Sequence, residues 1–445
     1  MKDPVSMEQL VSLCKRKGFI FQGSEIYGGM AGIYDYGPLG VALKDNIKQL
    51  WWKQFVSDRE DMYGIDAAIL MNQKVWQASG HVGGFSDPLV ECSNCKSRFR
   101  ADHVESTMCP TCEKEGTLGE ARQFNMMFKT SVGAVESDDS ISYLRPETAQ
   151  GMFVNFKNIL DTFSPKLPFG MAQIGKAFRN EIAPRDFIFR VREFEQMEIE
   201  YFVDPRDEAR VNETFDALYG EQLKFLETIG LPKEGIHKIE VPDGDRAHYS
   251  KRSVDTEFDF PFGQKELLGL AYRTDYDLKA HTTASGTDLN YFDEETKERF
   301  TPHCIEPTFG VDRLVLAVLA SAYQEVGEGD DKRVFLKLEP RVAPVKVCVS
   351  PLLKNKPEIV AKAREVFGML KKKFGAIMWD DNGNIGKRYR RQDEIGTPWC
   401  IVIDFDTLGE NSDLLDTVTI RDRDTGTQER IAIGELEMYI NNKLK

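Results

Sequence analysis

The stretch "AFRNEIAPRDFIFRVREFEQMEIEYF", Ala177 to Phe202, sets Arg179 and Glu181 one residue apart, runs through a basic loop, and then lines up Glu193, Glu195, Glu198 and Glu200. Read with the side-chain period of a strand, Met197, Ile199, Tyr201 and Val203 share one face, while Phe194, Gln196, Glu198, Glu200 and Phe202 share the other. One face is core; the other carries acid. In "GKAFRNE" the same count places Arg179 and Glu181 together, opposite Phe178. Joined by "IAPRDFIF", the two segments read as a hairpin whose polar face holds both signs of charge. Cross-strand ion pairs on a solvated face would also account for that pattern.

A second group lies in "CIEPTFGVDRLVLAVLASAY", Cys304 to Tyr323. Val311, Leu314, Val315, Val318 and Leu319 repeat as one buried helix face, so a strand carrying Glu306 and Pro307 turns at Gly310 into an apolar helix. Arg313 then sits in the first turn, where the helix dipole disfavours a cation unless an anion is near. A bound phosphate would satisfy both the arginine and the dipole. Pairing with Asp312 or another acid would satisfy the arginine alone.

The third group is "ECSNCKSRFRADHVESTMCPTCEKE". Cys92, Cys95, Cys109 and Cys112 form two CxxC knuckles, a spacing that suits tetrahedral Zn2+. Four thiolates fill the coordination sphere, so the metal would be structural; His103 reads as a bystander. The fourth group, "GKRYRRQDEIGTPW", gathers Lys387, Arg388, Arg390 and Arg391 beside Tyr389 and Trp399. Cations with aromatics suit unpaired RNA bases, which are read by stacking and edge hydrogen bonds, and a solvated basic loop is the plainer alternative.

These groups need a large scaffold, and 445 residues with 41% hydrophobic and 29% charged side chains supply two or three soluble domains. A formal net charge of -14 argues against binding nucleic acid by bulk electrostatics but leaves room for a local basic surface. No apolar run is long enough to span a bilayer, and the first residues lack the apolar core of a secretory signal, so no membrane association and a cytoplasmic location are expected. Outside the knuckles, Cys14, Cys304, Cys348 and Cys400 read as reduced, buried small hydrophobes. Composition shifts at 91–121, a short insert, and at Gly327 to Pro344, which reads as a linker. The expected domains are 1–335, α+β on an antiparallel sheet, and 336–445, α/β from alternating strand and helix signals. The run Gly40 to Val56, with Trp51, Trp52 and Phe55, reads as a helix shared by core and dimer interface.

"FRNE" followed by a loop and "FRVREF" resembles motif 2 of the class II aminoacyl-tRNA synthetases, and "EPTFGVDR" resembles their motif 3. With "LRPETAQG", "YDYGPLG", "AHYSKRSVD", "RTDYDL" and "GNIGKRYRRQDEIGTPWCIVID", nearly the whole chain is similar to the homodimeric glycyl-tRNA synthetases. The resemblance implies a class II antiparallel sheet flanked by helices, a zinc-knuckle insert and a C-terminal α/β anticodon-binding domain. It further implies a ligase that makes glycyl-adenylate from glycine and ATP with Mg2+, then charges tRNA(Gly).

By the same resemblance, Arg179 holds the α-phosphate and Arg313 the γ-phosphate, with Asn180, Glu181, Phe189, Arg190, Phe194, Glu266, Leu267, Gly310 and Asp312 completing the ATP site. Glu147, Glu198 and Glu306 would surround the glycine ammonium, with Arg100, Phe194, Gln196, Arg273 and Thr308 around them. Glu193, Glu195 and Glu200 are left as structural acids paired with the loop arginines. Lys387, Arg388, Tyr389, Arg390 and Arg391 would meet the anticodon. His81, His248 and His281 receive no chemical role. Synthetases for proline or threonine share motifs 2 and 3 but not "RPETAQG" with its acids. A catalytically silent RNA-binding relative would be expected to lose Arg179, Glu181 or Arg313, and a zinc-dependent RNA-binding module would explain only the insert and the last domain.

Overall fold

The alternation in Glu193–Val203 becomes an interior strand of a seven-stranded sheet in the computed structural model, which describes residues 5–104, 106–135, 137–327 and 333–444. The strands lie in the order Ile236–Glu240, Arg252–Phe260, Gly263–Thr274, His303–Gly310, Glu193–Val203, Phe169–Phe178 and Met62–Gly64. All neighbours are antiparallel except the edge strand Met62–Gly64, which runs parallel to Phe169–Phe178. Met197, Ile199, Tyr201 and Val203 are buried against the helices Pro38–Trp52, Glu208–Thr228 and Val311–Ala322. Each large apolar side chain removed from water there contributes roughly 1.5–3 kcal/mol before the entropy of ordering it.

The opposite face of the sheet is divided. Phe169 and Phe202 meet Phe153 and Phe156 in a small apolar cluster, while Gln173, Gln196, Glu198 and Glu200 are buried next to it. An apolar core thus borders a dry polar patch.

Pro38 opens its helix at the first position, where a missing N–H is no loss. Two residues later Gly40 lies so close to the neighbouring turn that a Cβ would stand 1.9 Å from the Phe19 carbonyl oxygen. That contact packs the start of the helix against the residue before the short strand Ile20–Gln22. Trp51 and Phe55 are fully buried and pack on Phe309 at centroid distances of 5.8 and 5.2 Å. The helix ends at Trp52 and its last turn, Lys53–Ser57, is wound as a π-helix.

The Gly327 to Pro344 stretch is not simply a linker. Arg333–Leu336 pairs with Tyr323–Val326 as a hairpin, and Leu336, Leu338, Val342 and Ala343 belong to the core of the large sheet. The boundary expected after 335 therefore falls within a strand; charges and prolines hid these four apolar positions. A second core gathers residues from Val347 to Ile440 around the sheet Ile377–Trp379, Val347–Pro351, Trp399–Ile403, Thr417–Asp422 and Gln428–Ala432. There the basic run is a helix, Ile385–Ile395, capped by Asn384 accepting from the Lys387 N–H at 2.9 Å, rather than a loop. Trp399 is buried in that core and is not available for stacking on RNA. Among the described residues, no helix is long and apolar enough to cross a membrane.

Candidate functional site

The hairpin and the apolar helix place their charged ends around one cleft, lined by Arg179, Glu181, Phe189, Arg190, Phe194, Gln196, Glu266, Leu267, Thr308, Gly310, Asp312 and Arg313. The strand stops at Phe178, yet the Arg179 N–H still donates to the Arg192 carbonyl at 2.9 Å, so the cleft arginine stands on fixed backbone. Its guanidinium donates to the Pro146 carbonyl at 3.1 Å and lies between the rings of Phe85 and Phe194, 5.4 Å from each centroid. Arg313 covers the Phe189 ring at 4.4 Å and donates to the carbonyl and carboxylate oxygens of Glu266, both at 3.1 Å. Its acidic partner is thus Glu266 and not Asp312.

Asp312 borders the cleft but spends its oxygens elsewhere, accepting from Tyr36 Oη at 2.5 Å and the Glu195 N–H at 2.8 Å. Glu181 Oε2 is buried without a hydrogen-bond partner, an acceptor left open inside the cleft. Asn180 is not part of the lining; its N–H is held by the Met126 carbonyl at 2.7 Å. Arg100, from the insert, pairs with Asp87 at 2.8 Å and with Asp102.

Next to Gln196 and Thr308 lies a cluster of acids. Glu198 accepts from the Thr148 N–H at 2.9 Å, from the Thr148 hydroxyl, and from Gln196 Nε2 at 2.8 Å. Burial and the Glu147 charge raise its carboxyl above the usual range. Glu306 accepts both bonds from Arg273 Nη1, at 3.0 and 3.1 Å, and Arg273 turns its other edge to Asp277 at 2.8 and 2.9 Å. Burial pushes Glu306 up to about 8 in spite of that arginine.

Glu147 lies 3.4 Å from His81 Nε2 and accepts from Gln150 Nε2 at 3.0 Å. Burial opposes its ionisation, but His81, Arg273 and the Gln150 amide outweigh burial and hold it below the usual range. Gln150, fully buried, also donates to Asp277 at 2.9 Å and accepts from His281 at 2.8 Å. Three acids are therefore held on one side by amides, a hydroxyl and a guanidinium, which leaves their other lone pairs to serve a small cation.

Several of these supports were not recognised as site residues in the sequence: Thr148, Gln150, Asp277, His81 and His281. The last two had been assigned no chemistry. The acids expected to pair with loop arginines do not. Glu193 pairs with Lys176 at 2.7 Å, and Glu195 with Lys44 at 2.8 Å and Lys48 at 3.2 Å. Glu200 is buried and accepts from the Cys304 thiol at 2.9 Å, so Cys304 is more than a small hydrophobe. Arg192 is instead bound to the carbonyls of Ala31 and Glu181.

The four knuckle sulfurs converge, all within 4.8 Å of one another, with Cys92–Cys112 at 3.7 Å and Cys95–Cys109 at 3.6 Å. A tetrahedral ion at a Zn–S distance of about 2.3 Å requires sulfurs about 3.8 Å apart, so the donor set fits zinc. The Cys95 N–H donates to Cys92 Sγ at 3.4 Å and Thr117 Oγ1 lies 3.3 Å from it, and these contacts lower the thiol to about 6. The supporting sheet, Arg98–Arg100, Ser86–Glu91 and Arg122–Asn125, adds a strand on either side of the expected 91–121 insert. The His103 side chain lies outside the described residues.

In the basic helix, Arg388 is buried and donates to the carbonyls of Pro351, Asp381 and Gly383, and Arg391 is paired with Asp380 at 2.7 Å. The Tyr389 ring is covered by Arg421 at 4.7 Å. Lys387 and Arg390 are exposed. Of the five expected anticodon residues, these two alone are exposed without an ion pair among the described residues.

Comparison with known proteins agrees with this anatomy. Residues 128–322 match the tRNA synthetase class II core domain (G, H, P, S and T), and residues 346–443 match an anticodon binding domain. The chain is 49% identical to the glycine–tRNA ligase of Clostridium acetobutylicum over 475 aligned positions, covering 100% of both chains. It is 50% identical to that of Clostridium tetani over 99% of both, and 46% identical to that of Thermobifida fusca over 99% of this chain and 98% of the relative. A class II core, an anticodon-binding domain and half-identity along the full length leave one assignment: the chain belongs to the glycine–tRNA ligase family.

Proposed function

We propose that the chain joins glycine to ATP, releasing pyrophosphate, and passes glycine from the adenylate to the 3' terminal adenosine of tRNA(Gly). The observation that carries this is the adjacency of an arginine-lined cleft and a cluster of three acids, joined through two cleft residues: Gln196, which donates to Glu198, and Thr308, which pairs with Glu198 across the sheet. The glycine carboxylate is already ionised, so no general base is needed, and catalysis reduces to alignment and to stabilising phosphate charge. Arg179, fixed between two rings, holds the α-phosphate where the carboxylate attacks. Arg313 takes the γ-phosphate, exchanging its pairing with Glu266, and ATP arrives with Mg2+. The open Glu181 oxygen accepts from the adenine amino group, with the ring near Phe194. Glu147, Glu198 and Glu306 receive the ammonium; Arg273 orients Glu306, Thr308 borders the pocket, and Arg100 guards the substrate side.

Zn2+ on Cys92, Cys95, Cys109 and Cys112 would supply folding energy to the insert and no chemistry. The catalytic part extends through Ala343, the last residue packed in its core, and the anticodon-binding part follows, in a cytoplasmic homodimer. Lys387 and Arg390 are the residues that meet RNA there. The test is exchange of labelled pyrophosphate into ATP with each amino acid in turn and no tRNA. Exchange with glycine alone is expected; exchange with another amino acid, or none by a folded protein supplied with magnesium, overturns the reading.

A further inference from the structure

A fourth carboxyl, Glu200, lies under the acid pocket without an assigned part. It is completely buried, two residues along the same strand face from Glu198. The pairs Glu198–Thr308 and Tyr201–Ile305 bracket it, which sets Glu200 directly across the sheet from Glu306. Like charges opposite one another on a dry sheet repel. The groups around it are Glu306 and Cys304 from the facing strand, Arg273 from the strand beyond, and Glu198 beside it. The one cation, Arg273, is shared between Glu306 and Asp277. Glu200 Oε2 accepts the Cys304 thiol, while Oε1 is buried with no partner.

We propose that Glu200 is a positioning residue of the glycine pocket, a neutral acid whose Oε2 is the carbonyl oxygen fixed by Cys304 and whose Oε1 bears the proton, leaving Glu306 as the member of the pair that ionises to meet the substrate ammonium. This rests on the glycine-pocket reading above. Burial first, and then the Glu306 charge, push Glu200 well above the usual carboxylate range. Burial lifts Glu306 to about 8 against the pull of Arg273, so near neutrality a proton competes with the ammonium for this carboxylate. An arriving ammonium takes that proton's place: the Glu306 O–H breaks, its proton leaves to water, and the carboxylate accepts an ammonium N–H. Glycine binding is therefore favoured as pH rises toward about 8, whereas ATP binding is not.

The experiment is pyrophosphate exchange measured against glycine and against ATP for the wild type between pH 6.5 and 8 and for three variants. Glu200→Leu is expected to raise the glycine KM about tenfold or more with the ATP KM unchanged, by leaving the pair without its polar partner. Glu200→Gln is expected to restore it to within about threefold of the wild type, because an amide is neutral like the protonated acid and its oxygen accepts the Cys304 thiol in the same way. The wild-type glycine KM should fall as pH rises, with the ATP KM level. A Gln variant as impaired for glycine as Glu198→Gln would mean that Glu200 is ionised and touches the ammonium, which overturns the proposal; so does a level glycine profile. If Glu200→Leu does not fold, the Gln variant and the wild-type profile decide. A Glu198→Gln variant with normal glycine KM would instead remove the pocket reading itself.

Discussion

Glu198→Gln separates charge from fold at the centre of the acid pocket. Glu198 receives three hydrogen bonds, two from Thr148 and one from Gln196 Nε2. A glutamine there keeps its oxygen toward Thr148 and turns its NH2 toward Gln196, whose Nε2 would then face another donor. The conflict has a ready resolution, because Gln196 Oε1 is buried with no partner; rotating that amide supplies an acceptor. The packing is thus preserved and the fold should lose less than about 1 kcal/mol. What is lost is the charge beneath the glycine ammonium, and a hydrogen bond to a charged group is worth about 1.5–3 kcal/mol. At 1.4 kcal/mol per factor of ten, the glycine KM should rise about 10- to 150-fold. The ATP KM should stay within about twofold, since Glu198 does not line the arginine cleft. Pyrophosphate exchange at saturating ATP, then at saturating glycine, reads both constants from one preparation. Equal rises in the two would refute the assignment of Glu198 to the ammonium, as would no change in either.

Other expectations follow from neighbouring features. Purified protein should contain about one zinc per chain, and chelation should expose four alkylatable thiols and loosen the insert while the rest of the chain stays folded; metal-free protein with freely reactive cysteines would refute the knuckle. Lys387→Ala and Arg390→Ala should weaken tRNA in aminoacylation without touching glycine-dependent exchange, whereas Arg388→Ala should lower the melting temperature by stranding three carbonyls. The reverse pattern would disqualify the exposed pair. Burial pushes Lys346 down to about 7 while its ammonium donates to the carbonyls of Pro340 and Arg341. The unfolded chain then binds more protons between about pH 7 and 10.5, so this group makes stability climb across that window, by at most about 1.4 kcal/mol per pH unit. Denaturant unfolding of Lys346→Met should show that climb diminished; an unchanged slope would clear the lysine of responsibility.

The sequence was most informative where one element carries its own period. The faces of Glu193–Val203 and the apolar stripe of Val311–Ala322 were legible because each is local and regular. The supports of the pocket were not, since Gln150 meets its partners Asp277 and His281 across separations of 127 and 131 residues, and nothing in the polar run around it reports that pairing. The helix Ile385–Ile395 was missed for a different reason. Its buried residues are Arg388, Gln392, Asp393 and Ile395, three of them polar, so an apolar period could not reveal it. The Asn384 cap and the Gly396 beyond its end were the available signals. Charge pairing was misassigned because proximity along the chain favoured arginines of the loop, while lysines of the Pro38–Trp52 helix reach Glu195 first.

That same basic helix is bolted to the rest of the molecule on its far side. Glu394 is bridged by Lys17 and Arg16 of the first helix, Asp393 by Arg333 and Arg421, and Arg423 ties the Gly396 carbonyl to that of Leu338. Lys387 and Arg390 therefore do not ride on a swinging tether. Their separation from Arg179 and Arg313 is held by folded protein, so on the proposed reading the chain would act as a ruler, favouring an RNA long enough to reach both ends at once.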